Sequence, residues 1–126
     1  MIYYDKIQGL EFDWFAFDAD GSLALFSTAG GGLIPSDVVP LVDAFCELAD
    51  RFETPNWGTE KIWDDYANLG LFVFDGDYSG NPYKRVREPA CELAPQVSDM
   101  MAGIPDMPRF PGRFSSIEIL ESWPEV

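Results

Sequence analysis

Residues 13–35 read DWFAFDADGSLALFSTAGGGLIP, and the fold turns on how this stretch is parsed. Phe15 and Phe17 precede, and Leu23 and Leu25 follow, the polar run Asp18-Ala19-Asp20-Gly21. Apolar residues alternating with their neighbours at period two mark a strand with one face buried. A short polar run between two such arms is a turn, with Asp20-Gly21 suited to positive φ. The stretch therefore reads as a β-hairpin with strands over residues 12–17 and 22–27. Thr28-Ala29-Gly30-Gly31-Gly32 follows as a flexible connection that lets backbone approach closely.

Beyond the glycines a helix is expected to start at Ser36 or Asp37, with Ser36 as N-cap and Asp37 at the positive end of the helix dipole. Val38, Leu41, Val42, Phe45, Leu48, Ala49 and Phe52 recur every three or four residues and give it one buried face. Pro40 belongs in its first turn, and the helix stops before Pro55. Thr59 is placed to cap a shorter helix carrying Ile62, Trp63, Tyr66 and Leu69, which Gly70 ends in a left-handed position. Residues 71–74 are a buried strand, 75–82 a long turn, and 83–87 a strand pairing back. A helix over 94–102 and a final strand over 114–120 follow, with Trp123 packing beyond. Before the hairpin, residues 2–7 read as an edge strand. The sum is an α+β domain spanning residues 1–126, an antiparallel sheet built from hairpins with two or three helices packed on it.

With 126 residues the chain suits one domain with a real core, and 47% hydrophobic and 15% aromatic residues set it apart from disordered sequences. The net charge of −14 repels nucleic acid and anionic membrane surfaces and favours cationic partners. Lys84, Arg85 and Arg87 form the basic cluster, too small for a nucleic-acid patch. Cys46 sits in an apolar helical pattern as a buried thiol. The start, MIYYDKIQGLEF, lacks a basic region followed by a long apolar run, and no stretch approaches the ~20 apolar residues of a membrane span. The expected location is cytoplasmic.

Histidine is absent, which removes the commonest general base and metal ligand together. Two carboxylate-rich turns invite a metal reading. Asp75-Gly76-Asp77-Tyr78-Ser79-Gly80 matches the first half of a calcium loop, but Val86 stands where a bidentate Glu is required. Asp, Ser, Gly and Asn are also what turns need, so both read as plain turns with no metal and no cofactor. Gly30-Gly31-Gly32 lacks the spacing of a phosphate loop. No catalytic set emerges. Asp64 and Asp65, with Glu60, make an acidic helix face near Trp57, Trp63 and Tyr66, a combination suited to a basic protein partner.

The stretch DWFAFDADGSLALFSTAGGG followed by IP, and later GLFVFDGD, PYKRV and a proline, resembles a group of small bacterial proteins. In that pattern a Trp-containing strand runs into an Asp–Gly turn, and a GL-aromatic-V-aromatic-D strand precedes a PY-x-R strand. Some similar small acidic proteins serve as immunity proteins of polymorphic or contact-dependent toxin systems, and the resemblance implies such a role here.

The sequence thus reads as a non-enzymatic acidic protein-binding domain, in its most concrete form an immunity protein neutralising a basic toxin domain. Partner contact is expected at Asp18, Asp20, Asp64, Asp65, Asp75 and Asp77, with Trp57 and Trp63 as anchors. The alternatives are a small-ligand or calcium-binding domain and a homo-oligomeric structural subunit. A monomer and a homodimer are both compatible with the sequence.

Overall fold

The hairpin forms where expected. A computed structural model describes residues 11–52, 54, 56, 58–77 and 79–124. Trp57 and the edge strand expected over residues 2–7 lie outside the described residues. Strand β1 (Asp13–Phe17) pairs antiparallel with β2 (Leu23–Ser27), Asp13 opposite Ser27 and Phe17 opposite Leu23. Gly21, at φ +82°, completes the turn.

The glycine connection is a close approach. A Cβ on Gly32 would lie 2.6 Å from the Tyr83 ring, so only glycine fits there. The helix that follows starts later than its apolar pattern suggests. Residues 36–41 are tight turns ending in a 3-10 segment (Val39–Leu41), and α1 runs Val42–Ala49. Pro40 explains this: in a helix capped at Ser36 it falls past the first turn, lacks the N–H its position needs, and crowds the carbonyl one turn back. Val42, Phe45 and Leu48 of α1 are buried. The Phe45 and Phe52 rings lie 5.6 and 5.7 Å from Phe15 of β1.

Helix α2 (Lys61–Ala67) ends at Gly70, beyond which the Leu71 N–H donates to the Tyr66 carbonyl at 3.1 Å. Thr59 does not cap it; its hydroxyl donates instead to the Asn56 carbonyl at 2.8 Å. Strand β3 (Phe72–Asp75) then runs parallel to β2, so the expected all-antiparallel sheet is mixed. The crossover carrying α1 and α2 brings the chain back to the end of the sheet where β2 began, as parallel pairing requires. Strand β4 (Tyr83–Arg87) pairs antiparallel with β3, and β5 (Ile119–Leu120) with β4, giving the order β1-β2-β3-β4-β5.

Between β4 and β5 lies α3 (Pro95–Ala102), burying Val97 and Met101. The final strand is far shorter than its alternation suggests, because residues 114–116 form a 3-10 turn. The Phe114 N–H donates to Asp18 Oδ2 at 2.9 Å, and Arg85 Nη1 donates to the Phe114 and Ser115 carbonyls at 2.9 and 3.0 Å. These side chains hold backbone groups that a strand would have given to the sheet.

Both faces of the sheet centre are covered. On one, Phe15, Leu25 and Val73 lie in register, and α1 packs on β1 there. On the other, Trp14, Phe26 and Phe74 stack across three neighbouring strands, with centroids 4.0 and 4.9 Å apart. Phe114 and Trp123 close over them edge-on. The Trp14 indole N–H donates to the Tyr83 hydroxyl at 3.0 Å, which donates to the Leu33 carbonyl at 2.8 Å.

Candidate functional site

Register places one polar row in the apolar sheet. Asp13 of β1 faces Ser27 of β2, which faces Asp75 of β3, and Asp75 in turn faces the exposed Lys84 of β4. Strands alternate their side chains, so this row shares the face of Phe15, Leu25 and Val73. The row opens into a cleft of about 600 Å³ between the hairpin and the two helices. Asp13, Leu25 and Ser27 make its floor. Cys46 and Ala49 of α1, with Asp50 at its C-terminal cap, form one wall, Ile62, Trp63 and Tyr66 of α2 the other. Volume and mixed lining match those of sites for small molecules or single side chains.

The cleft is electrostatically unbalanced. Burial, opposed by a hydrogen bond with Ser27 and aided by the Asp75 charge, pushes the Asp13 carboxyl up to about 6. Burial also raises Asp75, with Asp77 and Glu60 adding to it. The Cys46 thiol is raised by burial and then by Asp43, Asp50 and Asp13. Tyr66 is 1% exposed, and its hydroxyl has no hydrogen-bond partner. Burial raises its pKa, and the Asp13 and Asp65 charges raise it further. The ion pairs among the described residues join Arg85 to Glu88, Arg87 to Asp64 and Arg113 to Asp20, and none reaches Asp13.

The described residues singled out from sequence do not form one surface. Asp18 is a correction: at 3% exposure it is no surface charge. Its Oδ1 accepts from the Asp20 and Ser22 N–H groups at 2.9 Å, and its Oδ2 ties the turn to Phe114. Asp20 is exposed and pairs with Arg113 at 3.2 Å. Both lie past the far end of β1, roughly 16 Å from Asp13 at strand rise. Asp77 is spent on its own turn: Asn81 Nδ2 donates to Oδ2 at 2.8 Å, and the Ser79 and Asn81 N–H groups donate to Oδ1. The Asn81 side chain leads these bonds in lowering its pKa.

On α2, Asp64 accepts from Arg87 Nε at 2.6 Å, and the same guanidinium lies 5.7 Å from the Trp63 ring centre. Asp65 accepts from Asn56 Nδ2 at 2.9 Å and so pins the preceding loop. Among the described residues, only Trp63 of the expected contacts lines the cleft, with Asp75 one strand beyond its floor. Asp13 and Asp50 are not among the residues the sequence pointed to, and Tyr66 was named only beside the acidic face of α2. Asp13 did leave a signal, since it stands in phase with Phe15 and Phe17 and so had to face inward. Among the described residues no three His, Cys, Asp or Glu side chains converge to hold a metal ion, and no helix is long and apolar enough to cross a membrane.

Comparison with protein-family models, curated proteins and solved structures returns no match.

Proposed function

We propose that this chain is a non-enzymatic protein-binding domain that uses its acidity to capture a basic partner, in its most concrete form a bacterial immunity protein neutralising a basic toxin domain. The border of the cleft carries this reading. Asp43, Glu47 and Asp50 are exposed along α1 at helical spacing, and Asp50 and the exposed Glu11 line the cleft itself. A domain that acts on nucleic acid carries a basic face, so an acidic inhibitor both imitates its substrate and meets it quickly. The apolar and aromatic lining offers a central anchor site, where interfaces concentrate their energy.

Growth tests this reading. The C-terminal domain of the protein encoded immediately upstream is expressed in a test bacterium with and without this chain. Toxicity relieved by co-expression supports immunity, and a triple reversal of Asp43, Glu47 and Asp50 to Lys then abolishes the relief. A domain that stays lethal beside this chain overturns immunity to that neighbour.

The cleft volume favours a second reading, a small-ligand domain. A rise in melting temperature with a bound small molecule, in the absence of any protein partner, supports it.

A further inference from the structure

We infer that the cleft between the hairpin and α1/α2 receives one cationic head group, an alkyl-guanidinium or alkyl-ammonium, seated between Asp13 and Tyr66. This rests on the protein-binding reading above, and it names the group the basic partner presents: the side chain of an Arg or Lys.

Three observations converge. Asp13 is held at the cleft floor beside Ser27, with a second carboxylate, Asp75, on the other side of that serine, and no described cation pairs with it. Such a carboxylate is stabilised by an incoming positive charge more than one already paired. Tyr66 contributes independently. Its hydroxyl is buried and unpartnered on a side chain that lines the cleft, so an N–H group that pushes past the present lining would find an acceptor there. An unpaired buried hydroxyl is unfavourable, and a ligand that pairs with it removes the penalty.

The shape of the lining selects the rest of the ligand. Leu25, Ala49 and Ile62 offer apolar contact for an aliphatic stem, while Asp50 stands along the wall to steer the charge inward. An anionic ligand is excluded by the same carboxylates. Tyr66 adds a neutral acceptor, which suits a head group with several N–H donors. A guanidinium, with five donors in a planar fork, can serve an acceptor on the floor and one on the wall at once better than an ammonium does.

The test titrates the intact chain with n-butylguanidinium and with the capped tripeptide acetyl-Gly-Arg-Gly-amide, following Trp fluorescence and amide chemical shifts. Both probes are expected to bind, with shifts concentrated at Asp13, Ser27 and Tyr66. D13N is expected to weaken both at least tenfold, and Y66F severalfold, with melting temperatures no lower than the parent's. Binding of neither probe at 10 mM, using roughly the weak end of single-side-chain affinities, overturns the inference. Equal binding to D13N does the same. Binding of butylguanidinium but not the tripeptide overturns the side-chain source and leaves a free alkyl-guanidinium as the occupant.

The two readings fail separately. If a basic domain is neutralised equally by the parent and by D13N, the protein-binding reading stands and the cleft is not its seat. If both probes bind but no basic domain is neutralised, the cleft stands and the protein-binding reading falls.

Discussion

Asp13 and Asp75 flank Ser27 in one row across three neighbouring strands, on the face that α1 and α2 cover. Two inter-strand steps separate them, roughly 10 Å between backbones. At that separation the Asp75 charge acts on Asp13 without the two sharing a proton. The carboxyl of Asp13 is pushed up to about 6 chiefly by burial.

This gives a pH signature. A carboxyl whose folded pKa is raised binds protons more tightly folded than unfolded, so its contribution favours folding at low pH and is lost as pH rises from about 4 to about 6. The groups facing Asp13 are Ser27 and Asp75 in the sheet, Cys46 and Asp50 on α1, Tyr66 on α2 and Glu11 before β1, with Lys84 opposite Asp75. Asp13→Asn keeps the shape and removes the charge. The variant is expected to match the parent near pH 4 and exceed its stability by roughly 1–2 kcal/mol at pH 7. Thermal melts at both values check this, and a stability gap of the same size at both contradicts it.

Tyr66→Phe removes a hydroxyl that has no partner while keeping the ring packed edge-on against Phe52 at 5.4 Å. Stability is expected to hold or rise by up to about 1 kcal/mol. A loss above that, read from urea unfolding, would mean the hydroxyl is satisfied.

Asp18→Ala is expected to cost about 2–3 kcal/mol, because three backbone N–H groups lose their acceptor together. Asp20→Ala, which loses only an exposed pair with Arg113, is expected to change stability by less than about 0.5 kcal/mol. Neither change lies near the cleft, so partner neutralisation by folded protein is expected to survive both.

Phe26 touches the rings of Trp14, Phe74, Tyr83, Phe114 and Trp123. Its replacement by Ala is expected to cost about 3–5 kcal/mol, near the whole stability of a small domain. Gly32→Ala, with its Cβ 2.6 Å from Tyr83, is expected to displace that ring from Trp14 and Leu33. Near-ultraviolet circular dichroism reads the aromatic rearrangement.

What was legible in the sequence was what local chemistry determines. Asp20-Gly21 between two alternating arms gave the hairpin, and Gly70 gave the end of α2. The start of α1 was misread because Pro40 was counted inside the first turn. Parallel pairing of β2 with β3 was not legible, since neither strand records which edge a later strand will join. The alternation over residues 114–120 was true as a pattern, yet Asp18 and Arg85, distant in sequence, had claimed the backbone. The site was harder still. Acidic residues on turns attracted notice, although turns consume their own carboxylates, as Asp18 and Asp77 do. Asp13 was in phase with the buried side of β1, and its burial was the overlooked clue. The orphaned hydroxyl of Tyr66 exists only once the helices are packed.

The most direct measurement is a carbon-13 NMR titration of the Asp13 carboxyl in the intact chain, with and without n-butylguanidinium. The predicted result is an apparent pKa of about 6 in the free protein, falling by a unit or more when the cation binds, as an opposite charge at close range demands. An ordinary carboxylate pKa that the cation leaves unmoved would contradict the central claim, because the cleft would then hold no carboxylate in need of a positive partner.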